Sequence, residues 1–157
     1  DNIKAIFVYK ITGYVTWPET DADTFTVAVL GKSSLLAPLQ EIAAKRKVGD
    51  KPLIIKECAA VKDISGAQML LIAPAMENYL EALLEKARSE KILTIANTPG
   101  FAEKGVAINL VVIENRVCIE INQHTLKQCE ITLHAQLADM AKKVEEPGQN
   151  KEEGQPE

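Results

Sequence analysis

Residues 105–122, GVAINLVVIENRVCIEIN, constrain the fold of this chain more than any other stretch. Ile108, Leu110 and Val112 fall on one side of a first strand, Glu114-Asn115 supplies turn chemistry, and Val117, Ile119 and Ile121 alternate along a second. Such a hairpin has one apolar face, which another layer must cover. Ile3, Phe7, Ile11 and Val15 recur every four residues, with Ile6 and Tyr14 alongside, and predict a first helix with an apolar stripe, limited by Pro18. A strand over residues 24–30 follows, then a helix over about 34–45, capped by Ser33 or Ser34 and carrying Pro38 near its first turn. Leu53-Ile54-Ile55 and Met69-Leu70-Leu71-Ile72 are short continuous apolar runs, the pattern of strands covered on both faces. Residues 77–90 predict a helix with Leu80, Leu83, Leu84 and Ala87 inward, residues 92–96 another buried strand, and residues 126–144 one or two closing helices. Together these elements predict an α/β sandwich with a mixed, largely parallel sheet, an N-terminal helix, a late hairpin and C-terminal helices. Five of the seven aromatic residues lie in the first 25 positions, so Phe7, Tyr14 and Trp17 are expected in or near the core.

At 157 residues and 46% apolar content, the chain has the size of one domain with a substantial core. Residues 145–157, EEPGQNKEEGQPE, hold five Glu and one Lys and account for the whole net charge of −4, leaving residues 1–144 balanced. A body without basic excess is not built to neutralise phosphates, which argues against nucleic-acid binding. The acidic tail lacks large apolar residues and is expected to be disordered, an appendage to a domain over 1–144. No apolar run approaches the roughly 18 residues of a membrane span, so direct insertion is not expected. Lys4 and Lys10 interrupt the N-terminal segment and Trp17-Pro18 ends it without a cleavage pattern, so it does not read as a signal peptide. The chain begins at Asp1, as a mature or trimmed form would.

Candidate chemistry is sparse. Gly31-Lys32-Ser33-Ser34 matches the end of a P-loop, but Thr26 stands where the upstream glycine is required, so the segment reads as a strand end and helix cap. Gly31, Lys32 and Ser33, with Asn97 and Thr98 of a later loop, are the candidate lips of a ligand cleft at strand ends, where open α/β sheets often bind small molecules. Cys118, His124, Cys129 and His134 alternate in type at gaps of six, five and five, unlike the short Cys and His pairs of zinc sites, and no metal is expected. Glu77, Glu81, Glu85, Lys86 and Arg88 read as a solvated helix face. No nucleophile, base and orienter lie close in sequence and no cofactor is implied, so the residues alone stop at a soluble α/β domain without a visible active site.

The hairpin also carries a specific pattern. Gly105, Ile108, Asn109 and Val111, then Glu120, Ile121 and Asn122, match a G-x-x-I-N-F-V run followed by R-F-E-I-N, and the chain here resembles the YfiR-like family of bacterial periplasmic proteins. Residues 4–10 (KAIFVYK) through Tyr14, Val15, Trp17 and Pro18 match that family's K-A-x-F-L-Y segment closing on W-P, while Val27-Ala28-Val29-Leu30-Gly31 and Pro99-Gly100-Phe101 match the pieces between. The resemblance covers roughly residues 4–143. Leu110, Cys118 and His134-Ala135 depart from the usual residues.

The resemblance implies a periplasmic, non-catalytic regulator that binds and represses a membrane-bound signalling protein. A diguanylate cyclase controlling cyclic-di-GMP and biofilm formation is the first expectation, with an outer-membrane lipoprotein as a further partner and room for a homodimer. The alternative is a small-molecule sensor acting with a histidine kinase or transporter. On the family reading the partner surface is expected on the C-terminal unit, at Glu120, Asn122, Gln123 and Leu126; Glu120 pairing across the sheet and Asn122 capping a helix are the competing roles. Export favours disulfides, and Cys118 and Cys129 are placed to bridge, at about 2 to 3 kcal/mol, leaving Cys58 odd; three reduced thiols are the other outcome.

Overall fold

A computed structural model describes residues 2–18 and 22–144. The elements in order are α1 (Asn2–Ile11), β1 (Val15–Thr16), β2 (Phe25–Leu30), α2 (Leu36–Lys45), β3 (Lys47–Val48), β4 (Lys51–Cys58), β5 (Met69–Ile72), α3 (Leu80–Glu90), β6 (Leu93–Ala96), β7 (Ile108–Ile113), β8 (Arg116–Ile121), α4 (Gln123–Gln128), β9 (Thr132–Leu133), α5 (Ala135–Met140) and β10 (Lys142–Lys143). Eight strands form one sheet in the order β10-β8-β7-β6-β5-β2-β4-β3, and β1 pairs with β9 apart from it. The pairs β7–β8 and β3–β4 are antiparallel and the rest of the large sheet is parallel, so the fold is the expected mixed α/β sandwich. The expected tail over 145–157 lies outside the described residues.

Alternation along the central strands divides the interior into two cores. Phe25, Val27 and Val29 of β2, Met69 and Leu71 of β5, and Leu93 and Ile95 of β6 face the layer of α1, α2 and α5, where they meet Ala5, Val8, Ile11, Leu39 and Leu137. The intervening Ala28, Leu30, Leu70, Ile72 and Ala96 face α3, against Leu80, Leu83, Ala87 and Phe101. The apolar run of β5 and the buried strand β6 are thus covered on both faces. β4 is not: Leu53 is buried under α2, but Ile54 and Lys56 are exposed on the other face, where only the far end, at Cys58, joins the second core. The sheet has just the two-residue β3 beyond β4, so a run expected to be sandwiched is half open.

The first helix is rotated from expectation. Ala5, Val8 and Ile11 are buried, whereas Ile3 and Ile6 point outward and Phe7 is half-buried. The helix stops at Ile11, and a 3-10 turn over Thr12–Tyr14 leads into β1, so Val15 cannot extend a helical stripe. Thr12 donates to the Tyr9 carbonyl at 2.6 Å, Trp17 Nε1 donates to the Thr12 carbonyl at 3.1 Å, and the Tyr9 hydroxyl donates to the Lys47 carbonyl at 2.7 Å. These bonds set the rotation of the helix about its axis. Trp17 packs edge-on against Phe25 at 4.9 Å and joins the core as expected, but Tyr14 is more exposed than expected, its ring edge-on to His134.

Candidate functional site

The hairpin closes through Glu114 and Asn115, both at left-handed φ (52° and 65°), the backbone of a type I′ turn whose twist matches the strands. Ile108 opposite Ile121 and Leu110 opposite Ile119 enter the first core, while Val112, expected on the apolar face, sits beyond the core near the tip and is exposed. The polar residues of the motif turn inward. Asn109 is fully buried; its Nδ2 donates to the Thr98 carbonyl at 2.8 Å and to Glu120 Oε1 at 3.3 Å, and its Oδ1 accepts from Thr98 N at 3.2 Å. Asn122, also fully buried, donates from Nδ2 to the Ala102 carbonyl at 2.9 Å and caps α4 by accepting from Thr125 N at 3.1 Å. The Thr125 hydroxyl donates to the Gly105 carbonyl at 2.7 Å, and Thr94 Oγ1 accepts from Ala107 N at 2.9 Å. Gly105 adopts a φ of 118°, outside the range of residues with a Cβ. These bonds tie residues 98–107, irregular except where they enter β7, to the strands and to α4. They satisfy backbone groups that burial would otherwise leave unpaired.

This geometry corrects the expected partner surface. Asn122 is a helix cap and buried clamp, and Leu126, expected as an exposed anchor, is 5% exposed within the first core. Glu120 is half-buried, bonded to Asn109, and faces Lys142 of β10, which pairs along the outer edge of β8. Gln123 alone of the four is exposed. The sequence reading missed β10, because Lys142-Lys143 carries no strand signal and pairs only through its backbone.

The anticipated Cys118–Cys129 bridge is not formed: Cys58, Cys118 and Cys129 are free thiols. Cys129 is buried with its Sγ 4.0 Å from the Ala87 carbonyl of α3, and the alternation of β8 turns Cys118 away from Ile119 and Ile121. Burial pushes the Cys129 thiol above its ordinary value, with Arg88 opposing, and does the same at Cys58, where Lys56 opposes and Asp63 adds to the rise.

The two candidate ligand loops do not face each other. Gly31, Lys32 and Ser33 follow β2 and Asn97 and Thr98 follow β6, with β5 between them. The chain leaves β2 toward β4 through α2 on one face and leaves β5 toward β6 through α3 on the other, so the reversal point of the sheet lies between β2 and β5. The lip opposite Gly31 is therefore Ala73 and Met76. A Cβ on Gly31 would stand 2.8 Å from Met76 Cγ and 2.9 Å from Ala73 Cβ, so that crevice is packed. Ser33 Oγ accepts from Leu35 N at 3.1 Å at the start of α2, while Asn109 holds Thr98 in place. At the opposite, N-terminal ends of the strands an open hollow is lined by Tyr9, Lys10, Trp17, Lys47, Lys51 and Gln68.

The fold is a three-layer α/β domain, with helices on both faces of one mixed sheet. The chain belongs to the YfiR/HmsC-like family (DUF4154), whose model matches residues 1–142. No curated protein matches it in sequence. Solved structures with the same fold include a conserved domain protein from Vibrio cholerae, 13% identical with a TM-score of 0.64 over 91% of this chain and 59% of that one. CD0873, a substrate binding protein with adhesive properties from Clostridium difficile, is 14% identical with a TM-score of 0.62 over 78% of this chain and 55% of that one. An ABC domain in complex with L-Trp from Streptococcus pneumonia is 11% identical with a TM-score of 0.58 over 76% of this chain and 55% of that one. The chain thus spans little more than half of each of these proteins, and the likeness is one of fold. No helix among the described residues is long and apolar enough to cross a membrane.

Proposed function

We propose that this chain is a periplasmic, non-catalytic regulator that binds the periplasmic part of a membrane-bound signalling protein and represses it. The concrete target is a diguanylate cyclase, with cyclic-di-GMP and biofilm formation as the output and an outer-membrane lipoprotein as a competing partner. The observation that supports this is the family match over residues 1–142, which takes in every described element from α1 through α5 and the first residue of β10. The test is enzymatic: membranes carrying a diguanylate cyclase with a periplasmic domain, taken from the organism that makes this chain, are assayed for cyclic-di-GMP synthesis while purified chain is added. Synthesis should fall and level off near one chain per cyclase. Synthesis unchanged at a tenfold excess of chain contradicts the proposal.

The hollow beside Trp17 favours a second reading, a small-molecule sensor acting with a histidine kinase or transporter. Aromatic side chains and the lysines Lys10, Lys47 and Lys51, which outnumber the one acid, Asp50, there suit a flat anionic ligand. A ligand-dependent rise in melting temperature, abolished by Trp17→Leu and independent of any membrane protein, selects this reading over the first.

A further inference from the structure

The helices over the first core leave a surface that the fold does not cover. Helix α1 is apolar on nearly all sides: Ala5, Val8 and Ile11 face inward, while Ile3 and Ile6 face outward at 62% and 45% exposure. A helix apolar all round is ordinarily buried, so this outer face is built to be covered. A groove of about 460 Å³ runs between α1 and α2, lined by Ile6, Tyr9, Pro38 and Ile42, and another of about 470 Å³ separates α1 from α5, lined by Phe7, Tyr14, Leu137 and Met140. Met140 is 68% exposed and Tyr14 39%, so four of the eight exposed large hydrophobics among the described residues gather around one helix.

The charges decide what covers it. Lys10 lines both grooves, Lys45 and Arg46 rim the first, and Glu41 and Asp139 are the acids among the lining residues. The ion pairs among the described residues, Lys86–Glu90, Lys91–Glu130 and Lys104–Glu77, involve none of these groups. A second copy stacked α1 against α1 about a two-fold axis would bring the lysines of both helices, Lys4 and Lys10, into one interface. Residues 145–157 match the charge but contain no large apolar side chain to fill the grooves.

We infer that the outer face of α1 is the docking surface for an acidic amphipathic segment of the signalling partner. Its apolar side chains lie beside Ile3 and Ile6, and its carboxylates meet Lys10, Lys45 and Arg46. The apolar centre supplies affinity, and the cationic rim supplies rate and a dependence on salt. The inference rests on the partner-binding reading above and gives it a surface and a chemistry.

The test uses the full chain and the purified periplasmic domain of a diguanylate cyclase that the chain represses in the assay above, with Kd measured for wild type, Ile6→Glu, Lys10→Glu and Glu120→Lys. Circular dichroism and melting temperature establish folding; both α1 substitutions are at exposed positions, and Lys10→Glu removes no apolar contact. The expected result is that Ile6→Glu and Lys10→Glu each weaken binding at least tenfold, that Glu120→Lys stays within threefold of wild type, and that added salt weakens wild type more than Lys10→Glu. Folded α1 variants that bind as wild type overturn the surface and leave the partner reading standing. Wild-type chain that does not bind the domain at all overturns both. A wild-type dimer that Ile6→Glu converts to monomer, without effect on the cyclase domain, assigns the face to a second copy and overturns the acidic partner.

Discussion

Asn122 shows how much one side chain can hold. Its Oδ1 caps α4 and its Nδ2 satisfies the carbonyl of Ala102, with no solvent to replace either bond. Asn122→Ala should therefore cost about 2 to 3 kcal/mol, roughly 1 for the cap and 1 to 2 for the stranded carbonyl. Asn122→Asp, which keeps the cap acceptor but loses the donor, should fall between; urea denaturation of the three proteins checks the order. The thiols give a second residue-scale expectation. Cys118 should react with a soluble disulfide reagent far faster than Cys58 or Cys129, and mild reduction should leave the melting temperature unchanged. Burial raises the folded-state pKa of Cys58 and Cys129. Their protonated forms thus keep full stability below the unfolded value of about 8.5, and stability erodes as pH rises from there through the folded values. A urea midpoint that holds from pH 6 to 8 and declines above it, less steeply in Cys129→Ala, is the expected profile.

At the scale of elements, Gly31 sets the approach of β2 to the turn after β5. With φ at 88° and Met76 and Ala73 within 3 Å of any added Cβ, Gly31→Ala should destabilise by about 1 to 3 kcal/mol, and adding Met76→Ala should restore only part of the loss, because the backbone strain and the Ala73 contact remain. A denaturation midpoint equal to wild type in Gly31→Ala would refute this packing. The same elements show what the sequence could reveal. β5, β6 and the hairpin were legible because Met69–Ile72, Leu93–Ala96 and the alternation through Ile119 and Ile121 are local patterns that the fold obeys. α1 misled because Ile3 and Ile6 have the spacing of a buried stripe, while the rotation is fixed by Tyr9, Thr12 and Trp17 bonding to groups up to 38 residues away. The open face of β4 and the pairing of β10 depend on neighbours, which no local window contains.

For the whole molecule, these observations separate two roles that the motif residues had merged. Gly105, Asn109, Glu120 and Asn122 close the sheet around residues 98–107, whereas four of the eight exposed large hydrophobics among the described residues, Ile3, Ile6, Tyr14 and Met140, gather around α1 and α5. Sequence alone could recognise the motif but not assign its role, since a buried asparagine and an exposed one are written with the same letter. The apolar excess of α1 was visible in the sequence, yet it read as core because nothing there shows which half faces outward. Amide hydrogen exchange of the chain, free and bound to the periplasmic domain of the membrane partner proposed above, tests this division most directly. The account predicts slowed exchange in residues 2–11 and 135–140 on binding, with the amides of 108–121 unchanged. New protection confined to 116–128, with α1 exchanging as in the free chain, would contradict it.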